Sequence, residues 1–221
     1  RRSSDLDRET LRSYSGWGGG ISLEKLAPRF PAGVPQPDTR QLIHDFYTPQ
    51  EVCDAIARAV APLLPDLDGR DNTVRALEPS AGIGRFLTAF ERFAPTSPAL
   101  RWQAVEYSAL SAALLSALYP DVPLFTGPFE RWVADNGEAR FDLVIANPPY
   151  GERGAAKTED PERVYRGPVD DAYAYFLRRT LDLLEANGLG VYVIPSAFLT
   201  GTAANQRDLR EMVLRRHHLA A

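Results

Sequence analysis

The sequence predicts an α/β fold, a mostly parallel sheet with helices on both faces. Three observations carry that reading. From residue 48 onward, short apolar runs alternate with longer amphipathic ones, which is the order of a doubly wound sheet. The first apolar run, 74–77, leads into a turn that contains Gly82 and Gly84. The run 141–146 is nearly all apolar, as a strand buried on both faces is.

The elements follow in order. Residues 1–45 are expected to form an irregular arm. Gly16-Trp17-Gly18-Gly19-Gly20 is too glycine-rich for a helix or a strand interior. Pro28, Pro31, Pro35 and Pro37 keep the next stretch extended or turning. The main domain is expected over 46–221. Thr48 can cap a helix, Pro49 suits its first turn, and Glu51 stands three residues after the cap. Val52, Ile56 and Val60 recur at helical spacing, and the helix is expected to end before Pro65. Strands are predicted at 74–77, 100–105, 122–125, 141–146 and 189–194. Helices are predicted at 85–93, 108–118, 171–185 and 203–216, with Asn187-Gly188 stopping the third of these. The chain contains no internal repeat.

Composition bounds the function. The chain has 221 residues, of which 44% are hydrophobic and 24% charged, ordinary for a globular domain with its own core. No apolar run approaches the roughly 20 residues of a membrane helix. The first residues carry no signal-peptide pattern. A start at Arg1 rather than Met is expected of a piece of a longer protein. A single cysteine, Cys53, excludes an internal disulfide framework and a cysteine-rich zinc site. It fits a reducing cytoplasm and reads as a buried small residue. His44, His217 and His218 are too few and scattered for a metal site. The net charge of −4 argues against a self-sufficient nucleic-acid binder, because phosphates require Lys and Arg. The one basic cluster is Arg207, Arg210, Arg215, Arg216, His217 and His218. It reads as a solvated helix face, with phosphate contact as the alternative.

In a parallel sheet of this kind, ligands sit beyond the carboxyl ends of the strands. After the first strand comes Glu78-Pro79-Ser80-Ala81-Gly82-Ile83-Gly84. Its glycines permit a tight turn and close backbone approach, and the following helix aims its N–H groups at the ligand. Glu78 repels phosphate but suits a cation, such as a sulfonium methionine with a free amino group. After the second strand comes Glu106-Tyr107. Glu106 lies 22 residues past Gly84, near the spacing of a ribose-binding carboxylate. After the third comes Gly127-Pro128-Phe129, where Phe129 can lie against a cofactor adenine or belong to the core. After the fourth comes Asn147-Pro148-Pro149-Tyr150, the most informative segment. The Asn147 side-chain oxygen and the Pro148 carbonyl can accept both hydrogens of an aromatic amine and favour its tetrahedral nitrogen in a methyl transfer. The prolines stiffen the loop, and Tyr150 offers a ring on which an extruded base can stack.

Together these residues resemble the N6-adenine DNA methyltransferases, in the group whose cofactor motifs precede the catalytic motif. The resemblance covers roughly residues 46–200 and implies a Rossmann-like S-adenosylmethionine-dependent methyltransferase fold. It assigns Phe46-Tyr47-Thr48-Pro49 to the methionine part of the cofactor. Glu78, Pro79, Ala81, Gly82 and Gly84 become the cofactor loop. Glu106 and Tyr107 take the ribose, and Asn147 to Tyr150 the catalytic motif. Gly190-Val191-Tyr192-Val193-Ile194-Pro195 becomes the strand closing the pocket. Tyr14 and Gly16-Trp17-Gly18-Gly19 resemble a segment ahead of this domain in large methylase–helicase proteins. The family often has an acidic residue where this chain has Pro128. The implied cofactor is S-adenosylmethionine and the implied substrate DNA. The C-terminal hairpin, a second base-stacking aromatic and the target-recognition region are expected to be missing, supplied by the rest of a longer chain or by a partner such as a helicase. The role is restriction-modification, phage defence or marking. Two alternatives stay open. Enzymes of the same fold use Asn-Pro-Pro-Tyr on a protein glutamine or an rRNA guanine, and a silent module would only bind nucleic acid or a partner. The polar stretch 151–169 reads as a mobile loop over the site or a plain insertion.

Overall fold

The computed structural model describes residues 5–16, 47–67, 71–94, 96, 98–151, 158–165 and 171–220. Most of the arm, 17–46, lies outside the described residues, including its glycine run from Trp17 on, its prolines, His44 and Phe46.

Five strands form one all-parallel sheet in the order β3-β2-β1-β4-β5. They are β1 (Thr73–Glu78), β2 (Ala99–Glu106), β3 (Leu124–Thr126), β4 (Phe141–Ala146) and β5 (Leu184–Tyr192). β1 runs in continuous register with β2, from Thr73 opposite Ala99 to Glu78 opposite Ala104. On its other side β1 meets β4, with Ala76 opposite Leu143 and Leu77 opposite Val144. Every residue of β4 is buried, as its apolar run requires.

Strand alternation sorts side chains to the two faces. On one face Val74, Ala76, Leu143 and Ile145 pack with Cys53, Ala57, Phe86 and Phe90. Those partners come from α2 (Gln50–Val60) and α3 (Arg85–Phe93). On the other face Leu77, Val105 and Val144 pack with Phe129, Trp132, Tyr175 and Phe176, from α5 (Phe129–Asn136) and α6 (Ala172–Leu181). α4 (Ala109–Leu118) follows β2, and Ser108 caps it through Ser111 N–H. α7 (Ala197–Thr200) and α8 (Ala204–Arg216) close the chain, packing Phe198, Leu209 and Val213 on the outer side of α6.

Several expectations are corrected. Residues 5–12 of the arm form a helix, α1 (Asp5–Arg12), docked by an Arg8 Nη2 bond to Leu118 O and an Arg12–Glu91 ion pair. Thr48 does not cap α2. Pro49 occupies the cap position without a side-chain bond, because the Thr48 hydroxyl is engaged elsewhere. Val52 is exposed, and the buried stripe of α2 is Cys53, Ala57 and Val60. The chain continues as a 3-10 turn through Pro65 to Leu67. A helix that the sequence reading omitted, α5, follows β3 directly. α6 stops at Leu181 rather than 185, and β5 begins at Leu184. Its first residues bulge between Phe141 and Leu143 of β4, with Asn187 at φ 68. A Cβ on Gly188, the next residue, would stand 3.0–3.2 Å from the carbonyl oxygens of Glu185, Phe141 and Asp142.

Candidate active site

The sheet order reverses between β1 and β4, the first outward-winding strand on either side of the switch. A crevice opens beyond carboxyl ends at such a point. Glu78 ends β1 and Asn147 follows β4, so the two most informative motifs become neighbours. The Ser80 hydroxyl donates to Asn147 O at 3.0 Å and ties the two loops together. Thr48, Glu78, Ser80, Gly82, Arg85 and Asn147 line one cleft.

The glycine turn is built for close approach. Gly82 has φ 55, and a Cβ there would stand 2.6 Å from a ring carbon of Tyr47. Gly84, at φ 81, is the cap of α3. Ala81 N–H donates to Val105 O, and Pro79 and Ala81 are buried. Tyr47 covers this turn, its hydroxyl 2.6 Å from Ser111 Oγ. The Arg85 guanidinium lies 5.6 Å from the Tyr47 ring and donates to both Thr48 O and Tyr14 O. The arm thereby reaches the rim of the cleft.

Two carboxylates sit at the strand ends in different states. Glu78 is 2% exposed, and no donor reaches its Oε2. Burial, and then the nearby charge of Glu106, hold its pKa well above the ordinary carboxylate range. Glu106 accepts from Gly82 N–H and Ser108 N–H, each at 2.6 Å. It braces the glycine turn and retains acceptor capacity on both oxygens. Tyr107, beside it, is half-exposed.

The loop after β4 is cross-braced. Asn147 Nδ2 donates to Thr48 Oγ1 at 2.9 Å. Tyr150 Oη donates to Asn147 Oδ1 at 2.8 Å and lies 3.0 Å from Val193 O. Desolvation raises the Tyr150 pKa, so its hydroxyl stays a donor. Pro148 is buried, Pro149 half-buried, and Tyr150 exposed. Among the described residues no backbone donor reaches the Pro148 carbonyl.

Other sequence-predicted residues fall elsewhere. The Phe129 side chain is 2% exposed and stacks 5.7 Å from Trp132 and 5.0 Å from Phe176. It belongs to the core, so its ring is not offered to a cofactor adenine. Pro49 is exposed beside the cleft rather than in its lining. In the basic cluster Arg210 donates to Phe198 O, Arg215 pairs with Glu211 and Arg216 with Asp182. Of the stretch 151–169, residues 152–157 and 166–169 lie outside the described residues. Within the rest, Asp160 is anchored to α6 by Tyr175 Oη at 2.7 Å and Arg179 at 3.4 Å. Ser80, Arg85 and Ser111 carry no site role in the sequence reading. Their contacts span tens of residues, and no local pattern announces them.

Comparison with known proteins places this geometry. The Eco57I restriction-modification methylase family matches residues 104–221. The chain belongs to the Eco57I restriction-modification methylase family. It is 26% identical over 208 residues, 94% of its length, to the defense against restriction protein B of Escherichia phage P1. It is 28% identical over 137 residues, 57% of its length, to the type II methyltransferase M.TthHB8I of Thermus thermophilus. The chain spans 8% of the phage protein and 30% of the Thermus enzyme. Among solved structures, a Listeria monocytogenes protein assigned to the class I S-adenosylmethionine-dependent methyltransferases superposes with a TM-score of 0.59 at 18% identity. That match covers 94% of this chain and 62% of that one. The M protein of type I restriction enzyme EcoKI superposes at 0.56 and 15% identity, covering 94% and 47%. The fold of this methylase is therefore the class I methyltransferase fold, and S-adenosylmethionine is the cofactor that family and fold imply. Among the described residues no helix is long and apolar enough to cross a membrane.

Proposed function

We propose that this methylase core transfers a methyl group from S-adenosylmethionine to N6 of an adenine extruded from DNA. The observation that carries the reading is the placement of Asn147 in one cleft with the Glu78 turn, at the switch point of the sheet. The cleft suits the cofactor. The orphaned, buried Glu78 oxygen is the acceptor that an ammonium group completes, and the close approach at Gly82 admits a ligand against backbone. Tyr47, Thr48 and Pro49 would flank the methionine part. Pro79, Ala81, Gly82 and Gly84 would shape the turn, and Glu106 with Tyr107 would take the ribose.

The bound cofactor supplies an electrophilic methyl group. The protein prepares the amine. Asn147 Oδ1, released from its bond with Tyr150 Oη, and Pro148 O accept its two hydrogens, which draws the nitrogen lone pair out of the ring and favours the tetrahedral nitrogen. That lone pair forms the new N–C bond while the C–S electrons leave with sulfur, and the surplus proton passes to water. Tyr150 stacks on one face of the base. The target-recognition part lies in the remainder of a longer protein or in a partner subunit, in keeping with the small fraction of its relatives that the chain spans.

The test incubates the full-length protein with tritiated S-adenosylmethionine and DNA, RNA or protein. Labelled N6-methyladenine in DNA is expected. Label confined to RNA or protein would overturn the reading.

A further inference from the structure

We infer that Thr48 is a positioning residue for the transfer, its hydroxyl holding the Asn147 amide so that Oδ1, not Nδ2, faces the substrate amine. This role rests on the adenine reading and goes beyond a cofactor contact.

An asparagine amide has two nearly isosteric ends, an acceptor and a donor. Only the acceptor end serves an amine, because Nδ2 would set donor against donor. The backbone of Asn147 is already held by Ser80, and its Oδ1 accepts from Tyr150 Oη at 2.8 Å, the bond that an incoming amine displaces; Thr48 is then the brace left on the amide. Thr48 Oγ1 accepts from Asn147 Nδ2 at 2.9 Å, across 99 residues of sequence. Thr48 is itself well fixed. It is 8% exposed, and its carbonyl accepts from Arg85 Nη1 at 2.8 Å. A hydroxyl has one hydrogen. When that hydrogen is given to a ligand acceptor in the cleft, Thr48 can serve Asn147 only as an acceptor, and the flipped amide loses its partner. Cofactor occupancy and amide orientation are then linked through one oxygen.

Thr48→Val keeps the branched shape and removes the acceptor, whereas Thr48→Ser keeps the hydroxyl. Three readouts decide the matter in the full-length protein. The first is single-turnover transfer to unmethylated mixed-sequence DNA at saturating cofactor. The second is calorimetric affinity for S-adenosylhomocysteine. The third is the melting temperature of Thr48→Val, Asn147→Ala and the double variant without ligand. Transfer by Thr48→Val is expected to fall about 100-fold, the scale of a misplaced catalytic group. Affinity is expected to fall no more than about fivefold, the scale of one hydrogen bond. Thr48→Ser should restore transfer, and the double variant should melt like the worse single one. Loss of affinity in proportion to transfer, or additive melting, would overturn the Thr48 role alone. Failure of the wild type to methylate DNA, with cofactor bound, would overturn the adenine reading and this role with it.

Discussion

Glu78 is a buried carboxylate with an oxygen that no donor reaches, and its pKa is raised by burial and by Glu106. The folded chain therefore keeps a proton that the unfolded chain releases. Where the native state binds more protons, stability falls as pH rises, here from the ordinary carboxylate range up to the raised value. Glu78→Gln should flatten that fall and stabilise the ligand-free protein at alkaline pH, measured by denaturant melts across pH. The same change should weaken cofactor binding, since an amide cannot balance an ammonium charge. Wild-type cofactor affinity should rise with pH as the competing proton leaves. Gly82 yields a second prediction. At φ 55, with Tyr47 2.6 Å from any added Cβ, Gly82→Ala should cost about 1–3 kcal/mol of stability and displace Tyr47, read by calorimetry as weaker cofactor binding. At this scale the sequence was legible for placement: Glu78, Gly82, Glu106 and Asn147 stand at or just after strand ends, where the order of elements puts them. It was silent where a side chain works across the fold. Thr48 reads as a helix cap from its neighbours, yet its hydroxyl serves Asn147. Phe129 reads equally as site or core, and only its packing on Phe176 decides.

The elements that alternate cleanly, from β1 to β4, were legible because burial on both faces leaves uninterrupted apolar runs. Those set by tertiary contact were not. α1 carries no strong apolar stripe and is held by Arg8 and Arg12 on α4 and α3. α5 follows a three-residue strand and starts at a proline, so the local pattern reads as a turn. The bulge at the start of β5 is a register shift against β4, beyond reach of local propensity. The segment after the catalytic loop rests on one knot. Asp160 is fully buried against Tyr175 and Arg179, which is 3% exposed. Arg179 keeps a second partner in Glu162 at 2.6 Å, but the buried Tyr175 hydroxyl would lose its acceptor. Asp160→Ala should therefore lower stability by about 1–3 kcal/mol in equilibrium unfolding, while leaving the affinity for S-adenosylhomocysteine intact.

The whole molecule combines a switch-point cleft with a net charge of −4, and Arg215 and Arg216 of its basic helix are paired with Glu211 and Asp182. A protein built so is expected to hold its cofactor better than it grips phosphate. S-adenosylmethionine at a hundredfold its dissociation constant should stabilise the fold by about 2.7 kcal/mol, which for a chain of this size is a rise of about 5–11 °C in melting temperature. Differential scanning fluorimetry checks this without DNA. The central claim is narrower: the loop at Asn147 polarises the amine that receives the methyl group. The measurement that addresses it most directly is single-turnover methyl transfer by Asn147→Ala, paired with calorimetric cofactor affinity on the same preparation. Transfer should disappear while affinity stays largely intact; unchanged turnover would contradict the account.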